Sequence, residues 1–385
     1  MTLPSKLGSS GFRVGTINER RARARKRARG NASFTTFMPR IESSFLPPAP
    51  LKPAWLQTIM PAIIRRIQPP PSTLENLPLP DGDQLELAWH LPTTTLSYAP
   101  PRPQGLVVIT HGLEGSREST YVLGLAHALC GAGFLVLAWS MRGCGREPNR
   151  LATWYHSGKS DDLMAVISHA RARYPELDLF AVGISVGGNI LCKLLGEYDN
   201  EGSHGITAGV AVSAPLDLRG SAETLAHPSR RLYMEYLLRP LRGRIREKAR
   251  RFPDLFSLDK LAAIRSFHEF DARYTAPLHG FRSVDDYWDS CSGRHYLPAI
   301  TTPLLILTAQ DDPFLSPLCV PQEIAINSAT LFLETPPHGG HVGFIDSLAM
   351  RTSWLERRVV DFILSRTGRN QERERENTSH ARFST

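Results

Sequence analysis

From Gly105 onward, short runs that are apolar at every position alternate with segments whose apolar residues recur every three or four positions. "GLVVITHG" is the first run. Val122, Leu125 and Leu129 then share one helical face, which stops at Gly131 and Gly133. "FLVLAWS" is the second run, followed by a helical face of Leu163, Val166, Ile167 and Ala170, with Ser160 placed to cap it. "LDLFAVG" is the third, and Ile190, Leu191, Leu194 and Leu195 mark the next helix. "AGVAVSAP", "TPLLILTA" and "ATLFLE" continue the strands, and Leu355, Val359, Phe362 and Ile363 mark a last helix. A strand that is apolar throughout is buried on both faces. Such strands separated by amphipathic helices predict an α/β fold with a mostly parallel, doubly wound sheet. Ahead of them, "STLENLPLPDGDQLELAWHL" predicts an antiparallel hairpin turning at Pro80-Asp81-Gly82-Asp83.

The rhythm breaks between about residues 216 and 300, a stretch without strand runs and rich in Arg, Tyr, Phe and His. There "RRLYMEYLLRPLRGRIREKARRF" predicts helix with a break at Pro240. The stretch is expected to be a helical cap inserted over the C-terminal edge of the strands, where open parallel sheets bind their ligands. Leu232, Tyr233, Tyr236 and Leu237 recur in it at helical spacing, an apolar face suited either to roof an acyl tunnel or to pack on the core. "AWLQTIMPAIIRRI", near residue 60, is expected to pack on the core. It is also apolar enough to border a substrate entrance or to make a peripheral contact with a membrane or lipid surface.

Composition narrows the partners. The chain has 385 residues, 42% of them hydrophobic, ample for a large core. No apolar run approaches the ~18 residues of a membrane span, and the N-terminus lacks the apolar core of a secretory signal. Five scattered cysteines without paired short spacing point to a reducing, cytoplasmic setting and away from disulfides or zinc. The net charge of +8 resides in residues 1 to 37, which carry nine positive side chains against the single negative Glu19. The remainder is close to neutral, so the folded part is not expected to bind nucleic acid. Residues 1–37 read as a disordered basic arm and 367–385 as a disordered polar tail. No feature of the sequence sets an oligomeric state.

The chemistry concentrates at "LFAVGISVGGNI". Ser185 stands between Gly183 and Gly187, after a strand expected to end at Val182 and before a helix expected to start by Asn189. Gly-x-Ser-x-Gly is weak as spelling, but a strand-to-helix corner is the setting a serine nucleophile requires. A serine hydroxyl needs a base, and the base an orienting acid. Asp311 and Asp312 follow the strand "PLLILTA"; His338 and His341 follow "ATLFLE". The order Ser, Asp, His is that of the α/β hydrolases. Negative charge developing on the substrate needs donors. These are expected to be the backbone N–H of Val186 and that of Leu113 in "THGLEG". His111 is expected to shape that loop. Arg142, Cys144, His156 and Asp162 either line the site or hold loops, Arg142 in an ion pair. A metal held by His338, His341 and Asp311 would lack a nameable further ligand and second shell.

Together "HGLEGS", "MRGCGREPNR", "WYHSGKSDDL", "VGISVGGNIL", "VSAPLDL", "DDYWDSCS", "ILTAQDDPF" and "HGGHVGFI" resemble the YheT-like branch of the α/β hydrolases, from about Pro48 to Leu364. The α/β-hydrolase domain is expected over residues 38–366, with the helical cap at about 216–300 and no cofactor. The resemblance implies Ser185 as nucleophile, Asp312 as acid and His341 as base, in a serine esterase acting on small-molecule short- to medium-chain acyl esters. An acyltransferase or thioesterase using the same residues, and a non-catalytic binding protein on this fold, are the alternatives.

Overall fold

Strand β3 (Leu106–Thr110) shows why the runs are apolar at every position: Leu106 and Val108 enter one hydrophobic cluster, Val107 and Ile109 another. Both faces are covered, so both sets of alternating side chains are buried. The computed structural model describes residues 41–93, 102–199, 204–347 and 352–368. The predicted basic arm, and all but the first two residues of the predicted tail, lie outside the described residues.

The hairpin forms as β1 (Ser72–Pro78) and β2 (Gln84–His90). After β3 come α2 (Thr120–Gly131), β4 (Leu135–Ser140), α3 (Ser160–Arg173), β5 (Leu179–Ile184), α4 (Val186–Tyr198) and β6 (Ile206–Val212). Beyond the cap follow β7 (Leu304–Leu307), β8 (Leu331–Glu334) and a closing helix, α8 (Trp354–Leu364); α1 (Ala54–Ile64) precedes the hairpin. One eight-stranded sheet results, in the order β1-β2-β4-β3-β5-β6-β7-β8. Its pairings are parallel except those made by β2. α2 and α8 supply Val122, Leu125, Val359 and Phe362 to one face; α3 and α4 supply Leu163, Val166, Ile190 and Leu194 to the other. All five cysteines are free. No described helix is long and apolar enough to cross a membrane.

The segment between β6 and β7 is helical and includes α5 (Leu218–Ala226), α6 (Arg231–Arg251) and α7 (Val284–Cys291). The predicted break at Pro240 does not occur: α6 runs through it. Pro240 and Tyr236, whose carbonyl loses its partner, are both exposed, so water can serve that group. Ser160 does not cap α3 but is its first residue. Its buried hydroxyl donates to Glu197 at 2.6 Å and accepts from Lys193 at 3.2 Å, a stronger claim on it than a backbone N–H.

Candidate active site

The corner at Ser185 is tighter than the apolar pattern suggests. β5 continues to Ile184 and α4 starts at Val186, leaving Ser185 alone between them at φ 53°, ψ −120°. That backbone state costs a non-glycine residue about 1–3 kcal/mol and persists only where neighbours impose it. A methyl group at Gly183 would collide with the Gly187 carbonyl, and one at Gly187 would strike the Thr110 carbonyl. The two flanking glycines are therefore what lets the turn close.

Three chain-distant side chains converge there. His341 Nε2 lies 3.0 Å from Ser185 Oγ, and His341 Nδ1 lies 2.9 and 3.1 Å from the two Asp312 oxygens. Asp312 also accepts from the Phe314 N–H at 2.9 Å, which fixes its direction. The Phe314 ring stacks on His341 with centroids 4.2 Å apart. The loop bearing His341 is held at several points. Its His341 N–H donates to Thr58 Oγ1 (2.9 Å) and its Val342 N–H to Ser213 Oγ (3.1 Å). Gly339, Gly340, Val342 and Phe344 all have positive φ, a strained state for a β-branched valine. Asp311 faces away from the His341 ring. It accepts from Gly340 N–H at 2.9 Å and lies 3.3 Å from His338 Nδ1, and burial raises its pKa. The two adjacent aspartates thus divide the loop, one meeting the histidine ring and the other the backbone beside it.

Leu113 and Val186 both line the cavity above Ser185. Among the described residues, neither N–H has a backbone or side-chain acceptor. Next to Leu113, Glu114 has φ 53°. Its carboxylate is gripped by Arg244 of the cap helix α6, at 3.0 Å (Nε) and 2.9 Å (Nη2), and accepts from Tyr155 Oη at 3.0 Å. Its own N–H donates to the same Tyr155 oxygen at 2.8 Å. Arg244 also donates to the Gly143 carbonyl and, at 3.3 Å, to Cys144 Sγ.

The remaining sequence candidates separate cleanly. His111 is fully buried, its Nδ1 2.7 Å from the Gly112 carbonyl while Nε2 accepts from Met141 N–H at 2.8 Å. Burial depresses its pKa to about 4, so it is neutral and shapes the turn. Buried Arg142 forms an ionic cluster with buried Asp162 (2.8 Å) and Asp83 (3.1 Å) and with exposed Asp81 (2.7 Å). None of these four, nor Cys144, lines the cavity. His156 does; burial holds its pKa well below the usual value, and its ring packs on His279 at 4.7 Å.

The cavity measures about 490 Å³. From helix α6 of the cap it takes Tyr236, Leu237 and Leu241, but not Leu232, which is 85% exposed. A helix turns 100° per residue, so the 237/241 row faces inward while Leu232 falls outside. Tyr233 packs instead on Phe314, centroids 5.1 Å apart. Thr58, Ser213, Phe314 and the Glu114–Arg244 pair carry no local sequence signal beyond Phe314's place in "DDPF".

The sheet order, the strained serine corner and the converging side chains define an α/β hydrolase. The family described as serine aminopeptidase, S33, matches residues 101–322. YheT of Escherichia coli (strain K12) is 34% identical over 324 residues, 83% of this chain and 93% of its own length. Phospholipase ABHD3 of Mus musculus is 26% identical over 340 residues, 87% and 82% of the two chains. Among solved structures, the Pyrococcus furiosus esterase Pf2001 superimposes with a TM-score of 0.51 at 17% identity, covering 80% of this chain and 97% of its own. The chain belongs to the YheT-like family of α/β hydrolases.

Proposed function

We propose that this protein is a serine esterase that cleaves short- to medium-chain carboxylic esters through an acyl-enzyme on Ser185. Ester hydrolysis in general accords with the chain's family and with the kinds of activity its relatives' names carry, phospholipase and esterase among them. The finer reading rests on one observation: the hydrogen-bonded series Asp312–His341–Ser185 ends in the cavity.

In this reading Ser185 Oγ attacks the ester carbonyl carbon as His341 Nε2 takes its proton. Asp312, only 2% exposed and paired with Nδ1, holds the required tautomer and stabilises the imidazolium. The N–H groups of Val186 and Leu113 receive the carbonyl oxygen as it becomes negative, and the N-terminus of α4 adds its partial positive charge. The proton then passes from His341 to the departing alkoxide, and the alcohol leaves. Water, deprotonated by His341, attacks the acyl-enzyme and releases the acid and Ser185. No cofactor enters any step. The acyl chain lies against Leu237, Leu241 and the aromatic cap residues.

Labelling by a fluorophosphonate probe, abolished in Ser185→Ala, together with turnover of a p-nitrophenyl ester ladder, tests the reading. Ser185→Ala is expected to lower kcat by several orders of magnitude while the protein stays folded. Labelling that persists in the variant refutes Ser185 as the nucleophile.

A further inference from the structure

Helix α1 has two unlike faces. Its inner face is fixed to the His341 loop: buried Gln57 donates to the Leu51 and Ile345 carbonyls (2.7 and 3.0 Å) and accepts from Ile345 N–H (2.7 Å). Thr58, Pro61 and Ala62 of the same helix line the cavity. Its outer face carries Trp55, Ile59 and Ile63, four residues apart and so in one row. Trp55 is 56% and Ile63 62% exposed, and Ile64 beside them is exposed as well. The helix has no charged residue, and exposed Lys52 and Arg66 flank it. The cap helix α6 borders the same cavity through Tyr236 and Leu237, and it repeats the arrangement with exposed Leu232 and Tyr236 between exposed Arg231 and Arg239. The acids at this rim are already engaged: Glu118 pairs with Arg146 and Glu235 with Arg242.

We propose that the outer face of α1, with the adjoining rim of α6, docks on an anionic lipid surface and presents the cavity mouth to it. An apolar row with one tryptophan, flanked by basic residues, is the composition that lies in a lipid interface. Its cations are drawn to negatively charged headgroups. Charge disfavours the other occupants. A second copy would set Lys52, Arg66, Arg231 and Arg239 against one another, and residues 1–37 carry nine positive charges against one negative. Docking by the outer face leaves Thr58, Pro61 and Ala62 on the cavity side. A lipid ester could then reach Ser185 from the surface. That last consequence rests on the esterase reading; the docking itself does not.

Trp55 makes the test direct. The other five tryptophans, Trp89, Trp139, Trp154, Trp288 and Trp354, are all buried and already in apolar surroundings, so a shift of emission to the blue on binding reports Trp55 and with it the α1 face. The full chain is mixed with vesicles of phosphatidylcholine plus phosphatidylglycerol, or of phosphatidylcholine alone, and followed by sedimentation and fluorescence. The mixed vesicles should bind the protein and shift Trp55 emission to the blue. Ile59→Ser/Ile63→Ser should weaken sedimentation at least about tenfold and abolish the shift, while hydrolysis of a water-soluble p-nitrophenyl ester is unchanged. Absence of binding overturns the proposal. So does binding without a Trp55 shift, which would place the contact on residues 1–37. Dimers in light scattering that disappear in the double variant overturn it in favour of a second copy. Wild-type protein inactive on the soluble ester would fault the esterase reading and leave the vesicle result standing.

Discussion

Replacing Arg244 by Met probes how the cap reaches the proposed oxyanion donors. Glu114 and Arg244 lie 130 residues apart, and their side chains are each only 9% exposed. Without Arg244, the Glu114 carboxylate keeps the Tyr155 hydroxyl as its remaining side-chain donor. Removing one member of a buried ion pair costs about 3–5 kcal/mol, because the other charge is left uncompensated. The loss is concentrated at a residue already held at φ 53°, beside the proposed donor Leu113. Relaxation of that strain should turn the Leu113 N–H away from the substrate oxygen. Loss of one such donor costs about 10²–10³ in kcat, and a displaced donor should cost a part of that, about tenfold to a hundredfold. Urea unfolding and ester kinetics would be measured for Arg244→Met, Glu114→Gln and the double variant. The double variant should recover about 2 kcal/mol relative to the sum of the singles, and kcat should fall far more than KM rises. Additive singles, or lost stability with kcat intact, would mean that the pair braces the cap and leaves the oxyanion loop alone.

Asp312→Asn should lower kcat at least about a hundredfold, since an amide facing His341 Nδ1 favours the wrong tautomer. Asp311→Asn should cost less than about tenfold, because its partners are Gly340 N–H and His338; the reverse ranking in side-by-side assays would reassign the acid. Filling the cavity with Leu237→Trp or Leu241→Trp should move the preferred p-nitrophenyl ester to shorter chains, each excluded methylene forfeiting about 0.8 kcal/mol; an unchanged ladder would place the acyl group elsewhere. His111 and His279 have pKa values lowered to about 4 by burial, so the unfolded chain binds their protons first as pH falls. Their contribution is intact above pH 6.5 and is lost as pH drops toward 4, on the order of 3 kcal/mol each. His279→Gln should therefore flatten the fall of Tm across that window, and an unchanged slope would exclude His279 as a source.

The α/β order and the parallel sheet were legible because burial on two faces makes a strand apolar at every position, a pattern written into each run by itself. The serine corner was legible in part for a similar reason: Gly183 is demanded by a collision with the Gly187 carbonyl four residues on, whereas Gly187 is demanded by the Thr110 carbonyl of a neighbouring strand. The order Ser185, then Asp311 or Asp312, then His338 or His341 could also be read. The choice between neighbours could not, since spacing along a loop does not say which carboxylate turns to the ring; family resemblance supplied it, and the structure shows Asp312 there. Local rules failed where tertiary partners outbid them. Pro240 stays helical because its turn faces water, and the Ser160 hydroxyl turns to Glu197 instead of capping. Leu232 points outward because the direction of the α6 faces depends on how the helix docks. Phe314 on His341, Thr58 under the His341 backbone and Arg244 on Glu114 belong wholly to the folded chain. Thr58 and Arg244 meet partners over a hundred positions away, and Phe314, only 27 residues from His341, reaches it from the preceding strand's loop. No hydrophobic period or turn residue encodes a meeting of that kind before the sheet has closed.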